Sequence, residues 1–236
     1  MDRAGQLNPI GALESGQVKR QVGLAGASFR AARKLSFNLD YEGASSDQAY
    51  FRTSLYNYHK ARLRGRYQAF GALAFQTGYS VLSNRNPSPG IRYDFESRDF
   101  SLSAFWTPNG GKRFSLTGDY SRSALRSDID YLVPQQLSLR ERSLYRDNAH
   151  TASGLLDVVF PGYGGMAPKL TLGGSLFVSS GSRPTSYYQP LARLSLPLQK
   201  HVYWSTEWRW YGFGEQFSIY EGFRAHTLMT GMRLVR

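Results

Sequence analysis

The chain of 236 residues contains no cysteine. A chain without cysteine forms no disulfide, no thiolate metal site and no covalent haem attachment. Long apolar runs are also missing, since no stretch approaches the roughly 18 consecutive apolar residues that a membrane-spanning helix needs. The N-terminal residues lack the apolar core of a signal peptide. With a mean hydropathy of −0.43, the chain is too polar for a helical membrane protein.

Acidic residues are scarce, with 17 Asp and Glu against 29 Lys and Arg and a net charge of +12. A basic balance of this size indicates nucleic acid, anionic lipid or a path for anions. Nucleic-acid binders gather their charge in a patch or tail next to a recognition motif. Here the arginines are spread over nearly the whole length, so we expect no nucleic-acid partner.

Helical periodicity is absent as well, whereas alternation of apolar and polar residues recurs along the chain. It is clearest at 35–42 and 113–121. The pattern predicts an irregular segment at 1–16 and one β domain at 17–236. Within that domain we expect eleven strands, near 17–30, 34–45, 49–68, 72–83, 91–107, 112–124, 143–160, 168–181, 186–198, 201–213 and 217–235.

The expected connections alternate in length. Short ones lie at 31–34, 69–72, 109–111 and 199–201, and longer ones at 43–49, 83–90, 125–142 and 182–186. Short turns at one end and long loops at the other are typical of an outer-membrane barrel. A sandwich with Greek-key connections has no reason to alternate in this way. The sequence therefore predicts an all-β, antiparallel, up-and-down transmembrane β-barrel located in the outer membrane of the cell.

The strand at 201–213 carries Trp204, Trp208 and Trp210 on one face, because successive side chains of a strand point to opposite faces. In a soluble sandwich this face would be covered by a second sheet. In a membrane barrel it would contact lipid. We expect lipid contact for these three residues and also for Trp106 and Phe114.

Charged residues mark the opposite face, which in a barrel would line the lumen. Lys60, Arg62, Arg64 and Arg66 alternate with smaller or apolar residues and therefore share one face. They form either a basic stripe that favours anions or a partner, or a solvated wall balanced by acids on neighbouring strands. We expect Arg193, Glu207, Arg209 and Arg224 to face the lumen too.

The turns suggest a register for the neighbouring strands. A tight turn at 109–111 would place Trp106 opposite Phe114, since Asn and Gly tolerate positive φ. The turn at 199–201 would place Arg193 opposite Glu207. The next loop would bring Arg224 opposite the other side of Glu207, which completes a row of alternating charge across three strands.

No residue set indicates catalysis or metal binding. The four histidines are scattered over four segments, whereas metal ligands cluster. Asp147, His150 and Ser153 share one strand and cannot converge as a triad. We therefore expect a non-enzymatic protein with no cofactor and no metal.

Eleven strands are an odd number, whereas bacterial single-chain barrels have an even one. In addition, the expected strands put the N-terminus at the end with the long loops. We therefore expect the chain to be the C-terminal part of a larger barrel.

Several stretches resemble a bacterial family of large outer-membrane β-barrels. They are FRTSLYNYHKARLRGRYQ (51–68), SPGIRYDFESRDFSLSAFWTPNGGKRFSLTGDYSRS (88–123), YYQPLARLSLPL (187–198) and WSTEWRWYGFGEQFSIYEGFRAHTLMTGMRL (204–234). These barrels are similar to the decahaem-associated barrels that sheath multihaem cytochromes. The resemblance implies an electron-conduit scaffold whose partner is a multihaem cytochrome or another periplasmic or extracellular protein. The residues alone leave two alternatives open, a passive anion-preferring porin and a soluble or surface β-domain for adhesion or binding.

Overall fold

The computed structural model describes residues 19–47, 55–87, 92–133, 136–162, 166–199, 201–215 and 224–234. These residues form one antiparallel sheet of eleven strands in sequence order. The strands are β1 (Arg20–Ala32), β2 (Leu35–Ser46), β3 (Asn57–Phe70), β4 (Leu73–Asn86), β5 (Tyr93–Trp106), β6 (Phe114–Val133), β7 (Gln136–Val159), β8 (Lys169–Gly181), β9 (Thr185–Gln199), β10 (Val202–Glu215) and β11 (Arg224–Leu234). The expected all-β, up-and-down architecture is confirmed, and the expected segment 1–16 lies outside the described residues.

The sheet is open, because β1 pairs only with β2 and β11 only with β10 among the described strands. It is also a single layer, with no second sheet packed on either face in the described part of the chain. The buried apolar side chains of this part are Ala44, Tyr58 and Tyr93. The sheet therefore has no core of the kind that stabilises a soluble sandwich. No helix in these ranges is long and apolar enough to cross a membrane.

The two ends of the sheet differ. At the lower end, short connections join β1 to β2, β3 to β4 and β9 to β10, as expected, and a 3₁₀ turn at Pro108–Gly111 joins β5 to β6. Gly110 has a φ of 66° in that turn, a conformation that glycine adopts without steric cost. The upper end holds the longer connections that follow β2, β4 and β10. Two connections depart from the expected contrast. Residues 182–184 join β8 to β9 at the upper end and are shorter than the loop expected at 182–186, whereas residues 160–168 join β7 to β8 at the lower end and are longer than the other connections there.

The expected loop at 125–142 was wrong, because these residues continue β6 and β7 into a hairpin that projects beyond the neighbouring strands. The last pairing of β5 with β6 is Tyr93 with Ile129, whereas β6 and β7 remain paired as far as Val133 with Gln136. This stretch is rich in charged residues. They alternate on the strands, and Asp130 lies directly opposite Arg142, a cross-strand pair that stabilises a sheet.

Glycine is required where β8 ends. Gly181 has a φ of 134°, which other residues rarely adopt. A Cβ at this position would lie 2.2 Å from the carbonyl oxygen of Arg146. The close approach keeps the upper end of β8 paired with β7, where Asp147 lies opposite Gly181.

Candidate functional site

The two faces of the sheet carry different chemistry. We call the face that holds Trp106, Trp204, Trp208 and Trp210 the tryptophan face, and the opposite one, which holds Arg62 and Glu207, the polar face. The pairing registers assign every described strand residue to one of them, because side chains alternate along each strand. The candidate functional surfaces are therefore the two faces of one wall.

The polar face carries a row of hydrogen-bonded side chains across β7 to β10. Thr171 Oγ1 donates to Asp157 Oδ1 at 2.6 Å, and Lys169 Nζ lies 3.0 Å from Asp157 Oδ2. Arg193 follows Thr171 as its direct cross-strand partner. Asp157 and Thr171 were not predicted as site residues, although each stands between two apolar residues of its strand.

Glu207 on β10 is the last member of this row. It lies opposite Arg193 on β9, as expected, and Arg193 Nε donates to Glu207 Oε2 at 2.5 Å. Arg209, two residues further on the same strand, binds the other carboxylate oxygen. Glu207 is 7% exposed, so two arginines neutralise a carboxylate that the surrounding wall buries.

The prediction that Arg224 is the third member of this row was wrong. Met229, and not Arg224, lies opposite Glu207, and Arg224 pairs with Gly212. The offset of five residues is odd, so Arg224 belongs to the tryptophan face rather than to the polar face. The physical reason is the length of the connection between β10 and β11, which alternation along the strands does not reveal.

A groove of about 740 Å³ lies next to this row at the lower end of the polar face. Its charged lining comes from β8, β9, β10 and β11, which contribute Lys169, Arg193, Glu207 and Arg233, respectively. Three cations and one acid make the groove electropositive, which suits an anionic or hydrogen-bonding ligand.

The basic residues of β3 also lie on the polar face. Arg62 is directly opposite Asp40, and Lys60 is opposite Glu42. Arg64 Nη2 binds Asp40 Oδ2 at 2.6 Å, with both side chains about half exposed. Arg66 stands between Ser36 and Gln76. Two acids on β2 therefore offset part of the charge of four cations, and the stripe keeps a basic excess.

The tryptophan face carries two belts of aromatic side chains with an apolar band between them. The upper belt, near the longer connections, consists of Tyr41, His59, Tyr79, Phe100, Tyr120, His150, Tyr188, Trp210 and His226. The lower belt, near the short connections, consists of Phe29, Phe37, Tyr67, Phe75, Trp106, Phe114 and Trp204. The band between them exposes large side chains, for example Leu102 at 39% and Leu176 at 49%.

Neighbouring members of a belt contact each other. In the upper belt, Tyr120 Oη lies 2.9 Å from His150 Nδ1, and the rings of Tyr188 and Trp210 meet edge to face at 4.5 Å between centroids. In the lower belt, the rings of Trp106 and Phe114 meet at 5.1 Å. Trp106 is nevertheless directly opposite Leu116, so the tight register expected at 109–111 was wrong by two residues. An even offset keeps both residues on the expected face.

The belts run obliquely to the backbone rows, by which we mean the lines of directly opposite residues that cross the strands. One row connects Gly212, Tyr188, Leu176, Ala152, Tyr120, Leu102, Thr77, Gly65, Phe37 and Phe29. It therefore passes from the upper belt at Tyr188 to the lower belt at Phe37. On β2 the row and the lower belt coincide at Phe37. Eight strands further on, the row reaches β10 at Gly212, which lies eight residues beyond Trp204 of the lower belt. The belt shifts by one residue per strand relative to this row. At about 3.3 Å per residue and 4.8 Å between strands, the strands are therefore tilted by about 35° from the perpendicular to the belt.

A charged cluster lies at the base of the projecting hairpin, above the upper belt. Arg142 Nε donates to Asp128 Oδ1 at 2.7 Å, and Arg92 Nη2 donates to the same oxygen at 3.2 Å. Asp128 is 3% exposed. Mainly because Arg142 donates hydrogen bonds to it, the pKa of the Asp128 carboxyl lies below its ordinary value. This cluster was not predicted, because residues 125–142 were expected to form a loop.

Metal ligands are not gathered anywhere in the described ranges, where no group of three or more His, Asp or Glu is placed to hold an ion. The surfaces that remain are the polar face with its ion pairs and the tryptophan face with its two belts.

The fold defined by these features is that of an outer-membrane β-barrel, present as an open wall of eleven strands. Solved structures with the same fold include the siderophore receptor PirA from Acinetobacter baumannii, with a TM-score of 0.65 and 10% identity over 92% of this chain and 39% of that one. The alcaligin outer-membrane receptor FauA from Bordetella pertussis has a TM-score of 0.61 and 14% identity over 92% and 39%. The ferric-catecholate import receptor Fiu from E. coli K12 has a TM-score of 0.57 and 9% identity over 90% and 45%.

This chain therefore spans less than half the length of these receptors. The sequence itself matches no protein-family model and no curated protein. At such low identity the likeness concerns the fold alone. The expected resemblance to barrels that sheath multihaem cytochromes stays a prediction.

Proposed function

We propose that the sheet is a section of an outer-membrane barrel wall that forms a pore or a sheath for a partner, with its tryptophan face in lipid. The observation that carries this proposal is the angle of about 35° between the backbone rows and the aromatic belts. This angle equals the tilt of the strands from the perpendicular to the belts. Strands of outer-membrane barrels are tilted by about 35–45°, and aromatic girdles flank their apolar band. If the belts ran parallel to the backbone rows, the strands would be perpendicular to the belts and would lack the tilt of a membrane barrel.

The exposed apolar band supports lipid contact rather than a soluble domain. It continues across all eleven strands, from Ala27 on β1 to Leu228 on β11, which is 74% exposed. A soluble monomer rarely exposes more than a few hundred Å² of contiguous apolar surface. The described sheet leaves this face uncovered, and acyl chains would cover it.

The upper end of the sheet faces the cell exterior in this proposal. Outer-membrane barrels have short turns on the periplasmic side and longer loops outside. The projecting hairpin of β6 and β7, with its charged Asp128 and Arg142, extends from the same end. Its charges would then lie in water above the membrane.

Closure of the barrel needs further strands. Both β1 and β11 run from the upper end to the lower end. Direct pairing between them, or between copies that share one orientation in the membrane, would therefore be parallel. A fully antiparallel wall needs an odd number of additional strands between these two edges.

The polar face lines the lumen in this arrangement. The hydrogen-bonded row through Glu207 and the groove beside it offer polar contacts to a partner held inside the barrel, and this favours the sheath. The sequence resemblance alone suggests a multihaem cytochrome as that partner. The basic excess of the β3 stripe favours the second candidate function, passive diffusion that prefers anions.

The membrane proposal is tested by the detergent requirement of the purified chain. We expect it to stay monodisperse only in detergent micelles or lipid nanodiscs, and to aggregate when detergent is removed. A monodisperse, folded protein without detergent would contradict the proposal.

Conductance separates the two membrane functions. The closed barrel, purified from its native outer membrane together with anything it holds, is expected to show no large stable conductance in a planar bilayer if the lumen holds a partner. A stable open pore would favour diffusion instead. In that case Arg62→Gln together with Arg66→Gln should lower the anion-to-cation permeability ratio, whereas the matched pair Arg33→Gln and Lys112→Gln in the lower turns should not.

A further inference from the structure

A shallow groove of about 440 Å³ lies on the upper part of the sheet, between β5 and β8. Its charged and polar lining consists of Glu96, Arg98, Arg126, Arg146, Asp147, Asn148 and Ser180. Asn148 lies two residues above His150 of the upper belt, and Arg98 lies two residues above Phe100. The groove therefore begins where the apolar band of the tryptophan face ends.

Two exposed arginines face each other in this groove, since Arg126 on β6 is directly opposite Arg146 on β7. Like charges directly opposite each other destabilise a sheet. Three acids lie nearby. Glu96 is directly opposite Arg126 on β5 but binds Arg98 at 2.6 Å, and Asp128 binds Arg142 and Arg92. Asp147 follows Arg146 on β7 and therefore points to the polar face. An anion between Arg126 and Arg146 would turn an unfavourable pair into a favourable one.

A third arginine extends the site toward the belt. Arg122 is exposed, lies two residues above Tyr120, and donates from Nε to Asn148 Oδ1 at 3.0 Å. This bond orients the guanidinium of Arg122 along the same face and leaves its terminal nitrogens for a ligand. Arginine binds phosphate with two parallel N–H···O bonds, which gives both strength and orientation.

We infer that this groove binds the phosphate of an outer-leaflet lipid headgroup, with Arg126 and Arg146 as its principal ligands. The inference rests on the membrane placement proposed above. With the acyl chains of a lipid along the band below Tyr120, its headgroup lies at the height of these arginines. A headgroup phosphate is favoured over free phosphate because its acyl chains add apolar contact with the band. Basic residues next to a membrane surface each contribute to the binding of anionic lipid.

The test uses the full chain refolded in a neutral detergent, with lipid binding measured by native mass spectrometry. The probes are a bisphosphorylated acyl glucosamine disaccharide, the same lipid without phosphates, and inorganic phosphate alone. We expect the phosphorylated lipid to bind at least about tenfold more tightly than the dephosphorylated one, as one or two charge-assisted hydrogen bonds provide. Arg126→Gln with Arg146→Gln should remove this preference, and Arg126→Lys with Arg146→Lys should keep part of it.

The control removes the same charge at the lower end, by Arg33→Gln with Arg113→Gln, and should bind as the unchanged chain does. Circular dichroism and the heat-dependent shift in gel mobility report whether each variant folds. If the glutamine pair fails to fold, the partial preference expected of the lysine pair decides the question. Equal binding of both lipids by the unchanged chain, or an undiminished preference in a folded glutamine pair, would overturn the inference.

Competition by inorganic phosphate at the same concentration as the lipid would also overturn it, because it would show that acyl chains add nothing. Flotation with liposomes separates this failure from failure of the membrane proposal. A chain that floats but shows no phosphate preference has the membrane placement without the headgroup site. A chain that does not float contradicts both.

Discussion

Glu207 lies directly opposite Arg193 across β9 and β10, and Arg193 Nε donates a hydrogen bond to its carboxylate at 2.5 Å. Arg209 binds the other oxygen of the same carboxylate. The carboxylate is thus enclosed between two guanidinium groups on the polar face. This arrangement makes Glu207 the residue of the hydrogen-bonded row on which we expect stability to depend most.

Replacing Glu207 with Gln should destabilise the folded chain. The substitution keeps the shape but leaves two arginines without their counter-charge, and hydrogen bonds to charged groups contribute about 1–3 kcal/mol. The measurement is urea-induced unfolding in lipid vesicles, followed by tryptophan fluorescence. The matched control is Asp40→Asn, which removes an ion pair that is half exposed and should cost about 1 kcal/mol or less. Equal losses for both variants would contradict the role given to burial.

The two faces should tolerate charge differently at neighbouring positions of β5. Leu102 lies on the tryptophan face between Phe100 and Trp106, and Ser103 lies on the polar face opposite Asp119. An arginine on the lipid side near the bilayer midplane costs about 2–4 kcal/mol. Leu102→Arg should therefore reduce the free energy of unfolding in vesicles by this amount. Ser103→Arg should cost far less, because Asp119 can pair with the new charge, and a reversed order would assign the faces the other way.

The projecting hairpin should depend on Asp128. Arg142→Gln removes the donor of two hydrogen bonds to its carboxylate. Hydrogen exchange measured by mass spectrometry should then become faster in peptides that cover 125–133 and 136–146, while peptides from β10 stay unchanged. Arg140→Gln, on the same strand, is a suitable comparison. Unchanged protection after Arg142→Gln would mean that backbone pairing alone holds the hairpin.

The same hairpin should loosen in acid. Because the folded state lowers the pKa of Asp128, its contribution to stability is present above the ordinary aspartate pKa of about 3.9. It is lost as the pH falls through the lowered value, where the carboxylate takes up a proton. Exchange rates corrected for intrinsic pH dependence should show this loss in the unchanged chain and not in Asp128→Asn. An identical acid response of the two proteins would assign the loss to other groups.

Strand number could be predicted from alternation, which also places Trp208 and Glu207 on opposite faces of their own strand whatever the register. Register could not, since it depends on the length of each connection. The turn after Trp106 is longer than expected by an even number of residues and changed no face. The connection before Arg224 differs from the expected one by an odd number and moved that residue to the other face.

The oblique belts were beyond sequence reasoning for the same reason. Their tilt is a sum over all the registers between Phe37 and Trp204, so one error anywhere would hide it. The cluster at Asp128 was missed because residues 125–142 were expected to form a loop. Alternation of Arg126, Asp128 and Asp130 with less polar residues was the signal that a strand continues.

The central claim is that the tryptophan face contacts lipid, and quenching by brominated lipids tests it most directly. In vesicles with bromines at stepped depths along the acyl chain, chains that keep one tryptophan at a time should be quenched at Trp106, Trp204, Trp208 and Trp210. Shallow bromines should quench Trp204 and Trp210 most, and deep bromines should quench Trp208 most. A single tryptophan placed on the polar face by Ser205→Trp should resist all of them. Quenching of Ser205→Trp together with protection of Trp208 would contradict the account.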